Sequence, residues 1–250
     1  MWTPFYYISK AIFFVVRPFH PTKVLNKEKI IKKGKYIYAS NHLSNLDVPL
    51  THAKIGGLRR YIGKKELKKN PFLRLLYTWF GVIFIDRDAP KMSELREILN
   101  TINGKIGQIL IFPEGTRNKG DSKQMLPVKG GLAIFAAKSG APVIPVIIYE
   151  RYKAFRRNYI YIGEPIKITD SACKFPSAEE IARLSARYDL EFARCRVICN
   201  DMVENKRWKK KNRLPDGVKS DALIAWEKEN NYKPFNEVDS EDNINDESST

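Results

Sequence analysis

Three almost uninterrupted apolar runs constrain this chain more than any other feature: residues 81–86 (GVIFID), 108–112 (QILIF) and 142–148 (PVIPVII). A strand with one wet face alternates apolar and polar residues, whereas a strand covered on both faces does not. The intervals between the runs have room for helices and carry helical spacing. Residues 92–103 place Leu95, Ile98, Leu99 and Ile102 on one face, closing near Gly104. Alternation of helices with doubly buried strands predicts an α/β fold with a mostly parallel central sheet flanked by helices.

The remaining elements follow from local chemistry. Residues 35–40 (KYIYAS) and 59–63 read as strands, and 48–55 as a helix ended by Gly56-Gly57. Residues 66–80 read as one helix with Pro71 near its middle, and 130–139 as another. Residues 159–163 form a further strand. Ser177-Ala178-Glu179-Glu180 is a capping box opening a long helix towards Trp208. From residue 209 a linker leads to a small helical piece at 220–230. The expected organisation is an N-terminal membrane-interface helix in 1–30, a core over 31–170, a helical C-terminal extension over 171–235 and an acidic tail over 236–250.

Charge narrows the partners. The 250 residues carry a formal +16, yet 236–250 hold six acids and no Lys or Arg, leaving +22 on the first 235. Such a body attracts nucleic acid, anionic lipid or phosphorylated substrates. No helix-turn-helix, RNP or zinc pattern supports specific nucleic-acid binding. Three Cys suit a reduced, cytosol-facing compartment, and no Cys/His group has zinc spacing. Cys195 and Cys199, four apart on one predicted helix face, read as buried thiols. No apolar run approaches the roughly 18 residues of a spanning helix. Residues 5–19 (FYYISKAIFFVVRPF), broken by Lys10 and Arg17, suit a helix lying in a membrane interface, with an N-terminal helix packed on the core as the alternative.

Four segments sit where strands end, the place at which ligands bind in open α/β sheets. Asn41-His42 with Asp47 pairs an imidazole and a carboxylate across a strand-to-helix turn. A carboxylate there fixes the tautomer and leaves the other ring nitrogen as a general base. No nucleophilic serine accompanies the pair, so it suits a hydroxyl brought by a substrate. The alternative is a helix cap with a surface acid. Phe112-Pro113-Glu114-Gly115-Thr116-Arg117 offers a turn, a hydroxyl and a guanidinium that fit a phosphate, or a turn closed by its own Glu–Arg pair. Phe84-Ile85-Asp86-Arg87 brings an arginine to a strand end. Val143-Ile144-Pro145-Val146 is an apolar strand with a proline.

In this order the four resemble the motif set of the 1-acylglycerol-3-phosphate O-acyltransferase family: NHxxxxD, FxxR, FPEGTR and a proline-containing fourth motif. Gly163-Glu164-Pro165-Ile166 resembles its GEPI element, and Lys64-Lys65-Glu66-Leu67 its KKEL segment. The resemblance implies a membrane-associated transferase making phosphatidic acid; the wealth of Lys, Asn and Ile points to an AT-rich bacterial genome, and so to the cytoplasmic face of a bacterial inner membrane. It implies His42 as the base on the sn-2 hydroxyl of lysophosphatidic acid and Asp47 as its orienting partner. Arg87, Thr116 and Arg117 would hold the phosphate, with Glu114 and Gly115 shaping that pocket and Lys64 a further phosphate ligand. Phe84 and Pro145 would line or support the acyl region. The donor would be a thioester of acyl carrier protein or coenzyme A, and no metal or organic cofactor is implied. Glycerol-3-phosphate or another lysolipid is the alternative acceptor, and an inactive membrane scaffold the alternative role.

Overall fold

The computed structural model describes residues 18–57, 59–79, 81–86, 89–168 and 176–235. Most of the expected interface helix at 5–19, Arg87 and the acidic tail at 236–250 lie outside the described residues.

Seven strands form one sheet in the order β1-β7-β6-β2-β5-β3-β4: β1 Thr22–Leu25, β2 Tyr36–Ser40, β3 Arg60–Lys64, β4 Val82–Ile85, β5 Gln108–Ile111, β6 Val143–Ile148 and β7 Asn158–Ile162. Every neighbouring pair is parallel except β6 and β7, which run antiparallel as Ile148 faces Ile160. The apolar runs are the strands the sequence predicts: β4, β5 and β6 are buried along their whole length. Burying both faces removes any need for alternation.

The two faces carry separate layers. On one, Ile37, Ala39, Ile109 and Ile147 pack with helices α3 (Met92–Asn103), α4 (Gly131–Ser139) and α5 (Ala178–Glu204). On the other, Tyr38, Leu110, Ile144 and Val146 pack with Ile55 of helix α1 (Asp47–Ile55) and with Tyr77 of α2 (Pro71–Trp79). Successive residues of β2 point to opposite layers, as the period of two requires. A final helix α6 (Asp221–Glu229) rests on α5. The capping box expected at Ser177 is present: its Oγ accepts from Glu180 N and Glu180 Oε2 accepts from Ser177 N.

One local reading is corrected, and one strand is new. The single helix expected over 66–80 is a 3-10 turn, Lys65–Lys69, followed by α2 starting at Pro71. Proline lacks an N–H and presets its φ, so it opens a helix where it would break an interior. The edge strand β1 has only four residues, too few for a period, and falls within the stretch grouped with the N-terminal helix. It is held by pairing with β7.

Pro145 occupies the middle of β6 opposite Ala39. It has no N–H to donate, and the β7 ladder breaks beside it, resuming at a bridge between Val143 and Ile166. Gly163 donates its N–H to Pro145 O at 2.8 Å. A Cβ on Gly163 would stand 3.0 Å from both Pro145 Cβ and Cys195 Sγ, so glycine lets α5 close on the sheet.

Candidate active site

The site forms at the carboxyl ends of β2 and β5. Asn41 follows β2 and is fully buried. Its amide clamps the end of β6, donating to Ile148 O at 3.0 Å and accepting from Ile148 N at 2.7 Å. From α5, the buried Arg196 donates to Tyr149 O at 2.9 Å and Ile148 O at 3.1 Å. The strand ends that carry the next residues are therefore tied from two sides.

Asp47 is completely buried at the first turn of α1, where the helix dipole favours a carboxylate. Its Oδ2 accepts from Leu43 N at 2.6 Å, from Ser44 N at 2.7 Å and from His42 Nδ1 at 2.8 Å. Oδ1 accepts from Ser44 Oγ at 3.0 Å. Two of these donors are backbone groups of the turn itself, so one carboxylate both shapes the turn and orients the imidazole. The His42 ring stacks on Phe112, centroids 4.1 Å apart and planes 23° from parallel. With Nδ1–H committed to Asp47, Nε2 across the ring is the acceptor. Asp47 is thus a buried partner, not a surface acid.

His42 lines a cavity of about 510 Å³. Thr116, Arg117, Lys119 and Lys64 line its polar side, while Val48, Leu67, Tyr77 and Val82 supply an apolar wall. One arginine and two lysines give it strong positive potential. Arg117 Nη1 donates to Asn45 Oδ1 at 2.9 Å, bridging the two motif turns. Gly115 accepts the left-handed φ of 70° that this turn requires, and its N–H closes it onto Phe112 O at 3.0 Å.

Glu114 stands apart. It is 2 % exposed and lies beneath the cavity wall. Neither carboxyl oxygen has a well-formed hydrogen bond. Burial pushes its pKa up to about 7, although the backbone at His42 and Leu126 and the Arg196 guanidinium favour the anion. Phe84 is buried in β4 and Pro145 in β6, and neither lines the cavity. Phe84 packs in the layer on the cavity's side of the sheet, whereas Pro145 meets Gly163 and Cys195 on the α5 side.

Sequence reasoning did not single out Lys119, two residues beyond Arg117, although the shared loop was a signal. It also missed His52, whose Nδ1 pairs with Tyr61 Oη at the cavity's far side. That pairing joins α1 to β3 and has no local signature. Among the described residues no group of three His, Cys, Asp or Glu could hold a metal ion. None of the described helices is long and apolar enough to cross a membrane.

The chain is similar to the 1-acyl-sn-glycerol-3-phosphate acyltransferase of Limnanthes douglasii, 33 % identical over 153 residues, which are 60 % of this chain and 52 % of that protein. Enzymes of that name from Escherichia coli K12 and Saccharomyces cerevisiae are 31 % and 32 % identical, covering 52 % and 50 % of this chain and 53 % and 42 % of theirs. The chain thus spans about half the length of the curated relatives it matches. The fold resembles the crystal structure of the 1-acyl-sn-glycerophosphate acyltransferase of Thermotoga maritima, with a TM-score of 0.55 and 24 % identity over 83 % of this chain and 80 % of that one. The Acyltransferase family model matches residues 21–149, from β1 through β6 and across both turns that build the cavity. With more than half of its length under that match, this chain belongs to the Acyltransferase family.

Proposed function

We propose that the protein transfers an acyl chain from a thioester of acyl carrier protein or coenzyme A to the sn-2 hydroxyl of 1-acylglycerol-3-phosphate, giving phosphatidic acid. The observation that carries this reading is the His42–Asp47 pair facing a cationic cavity with an apolar wall. His42 Nε2 takes the proton of the acceptor hydroxyl as its oxygen attacks the thioester carbonyl. Asp47 stabilises the imidazolium that forms. Collapse of the tetrahedral intermediate expels the thiolate, which receives the proton from His42. No acyl-enzyme is needed: the nearby serine hydroxyl, Ser44 Oγ, is directed to Asp47 Oδ1.

Arg117, Thr116 and Lys64 hold the acceptor phosphate, joined by Lys119. Arg87, at the end of the β4 segment, is proposed for the same role from its motif. Glu114 and Gly115 set the turn that presents Thr116 and Arg117, and Phe84 and Pro145 support the acyl region from inside the sheet. The relatives' names carry the choice of acceptor. The protein works at the cytoplasmic face of a bacterial inner membrane, where a basic body meets anionic lipid.

The test is initial acyl transfer by purified protein in detergent, with 1-acylglycerol-3-phosphate, 1-acylglycerol and glycerol-3-phosphate as separate acceptors. Phosphatidic acid from the first and at least hundredfold slower product from the second is expected. Equal rates would remove the phosphate site from the mechanism. Transfer only to glycerol-3-phosphate would move the protein to that acceptor.

A further inference from the structure

The end of the sheet that carries His42 also presents two phenyl rings to water. The loop between β6 and β7 has Phe155 near its tip, 76 % exposed and with φ 57°, a left-handed conformation disfavoured for a bulky side chain. The loop is nonetheless tightly built. The buried Asn158 accepts from Lys153 N at 2.9 Å and donates to Lys153 O at 3.1 Å and Arg156 O at 2.9 Å. Phe155 N donates to Phe19 O at 2.7 Å. The two rings meet edge to face, centroids 5.6 Å apart, and Phe19 is itself 47 % exposed. The loop's hydrogen bonds thus hold a left-handed backbone in place and leave apolar surface in solvent.

The surroundings name a partner. Lys153, Arg156 and Arg157 are exposed on the same loop, and Glu150, paired with Lys153 Nζ, is the one acid from 149 to 157; the Arg157 guanidinium lies 5.5 Å from the Trp208 ring. Arg151 ties the loop to the site: its Nη2 donates to Asn118 O at 2.8 Å and Gly120 O at 2.7 Å, and Asn118 N donates to His42 O at 2.8 Å. In sequence, Phe19 continues directly from the aromatic-rich residues 5–17. An apolar tip collared by cations fits a bilayer surface carrying anionic lipid: the rings enter the interface and the cations stay at headgroup level.

We propose that Phe155 and Phe19, with Lys153, Arg156 and Arg157, form an anionic-lipid contact that seats the cavity mouth on the membrane. Its purpose rests on the lipid-acceptor reading above, but its test does not. Full-length protein is mixed with vesicles of phosphatidylcholine alone or with about a third phosphatidylglycerol, without substrate. The variant Phe155→Trp reports insertion at this position even where residues 5–17 also bind. Its added emission shifts to the blue and is quenched by bromine on the acyl chains. Phe155→Gly, which suits the φ at that position, weakens partition to anionic vesicles about tenfold, and Arg156→Gln about fivefold.

Unshifted, unquenched emission from vesicle-bound Phe155→Trp would overturn the proposal. So would equal binding of wild type to neutral and anionic vesicles. If Phe155→Gly left vesicle binding intact but slowed transfer from an acyl carrier protein thioester in detergent, the loop would be a protein dock and the lipid contact would be refuted. Insertion without any transferase activity would sustain this contact and sink the reaction instead.

Discussion

Replacing Asp47 by Asn changes one atom's identity and removes one charge. Its consequence follows from the geometry. Three donors converge on Oδ2. The carboxamide must therefore place its oxygen there, since its NH₂ would face three N–H groups. The NH₂ then occupies the Oδ1 position, where Ser44 Oγ can accept from it. The turn and the imidazole tautomer survive, and the charge does not. Each bond loses the difference between a charged and a neutral acceptor, about 1 kcal/mol, offset in part by the easier burial of a neutral group. Asp47→Asn then costs about 2 kcal/mol of stability. The catalytic cost is larger. An imidazolium about 4 Å from a carboxylate at an effective dielectric constant of about 20 gains about 4 kcal/mol. Loss of that term lowers kcat about a thousandfold and leaves KM for the acceptor nearly unchanged. Thiol release from the thioester reads the rate, and circular dichroism reads the fold. A folded Asp47→Asn protein within tenfold of the wild-type kcat would refute the role of Asp47 as counter-charge to His42.

The fold makes other predictions. The Glu114 carboxyl titrates near 7 when folded but near 4.5 when unfolded, so between those values the native state binds more protons. Stability then falls as pH rises from about 4.5 to 7, by about 3 kcal/mol, and stays reduced above. Glu114→Gln removes that loss, and its melting temperature relative to wild type should rise between pH 5 and 8; a constant difference would show that Glu114 titrates normally. Gly163→Ala forces a methyl against Pro145 and Cys195 and should cost about 1–3 kcal/mol in urea denaturation; no change would mean that α5 moves aside freely. The buried thiols of Cys195 and Cys199, pushed up to about 12 by burial, should resist alkylation in the native state and react only at the rate of unfolding, as mass spectrometry would show.

Much of this was legible in the residues. The apolar runs became β4, β5 and β6 because full burial leaves a signature that needs no partner to be read. The His42–Asp47 pairing was legible because both groups lie on one short turn. What the sequence hid depends on distant chain. β1 exists because β7 offers it an edge. Pro71 reads as a helix break or a helix start with equal local logic, and here it opens α2 behind the 3-10 turn Lys65–Lys69. Glu114 reads as a polar pocket residue, but the turn buries it beneath the wall. The amide of Asn41 and the guanidinium of Arg196 meet at the end of β6 from opposite ends of the chain, and no spacing announces that.

The proposed role of His42, direct deprotonation of the acceptor hydroxyl, has one decisive comparison. Wild type and His42→Ala are compared with radiolabelled acyl thioester and 1-acylglycerol-3-phosphate, and with the thioester alone. Direct deprotonation by His42 predicts phosphatidic acid from wild type, a loss of about 10³-fold or more in folded His42→Ala, and no label on the protein without acceptor. Phosphatidic acid from His42→Ala at a rate near wild type, or a stable acyl-protein formed before acceptor is added, would contradict it.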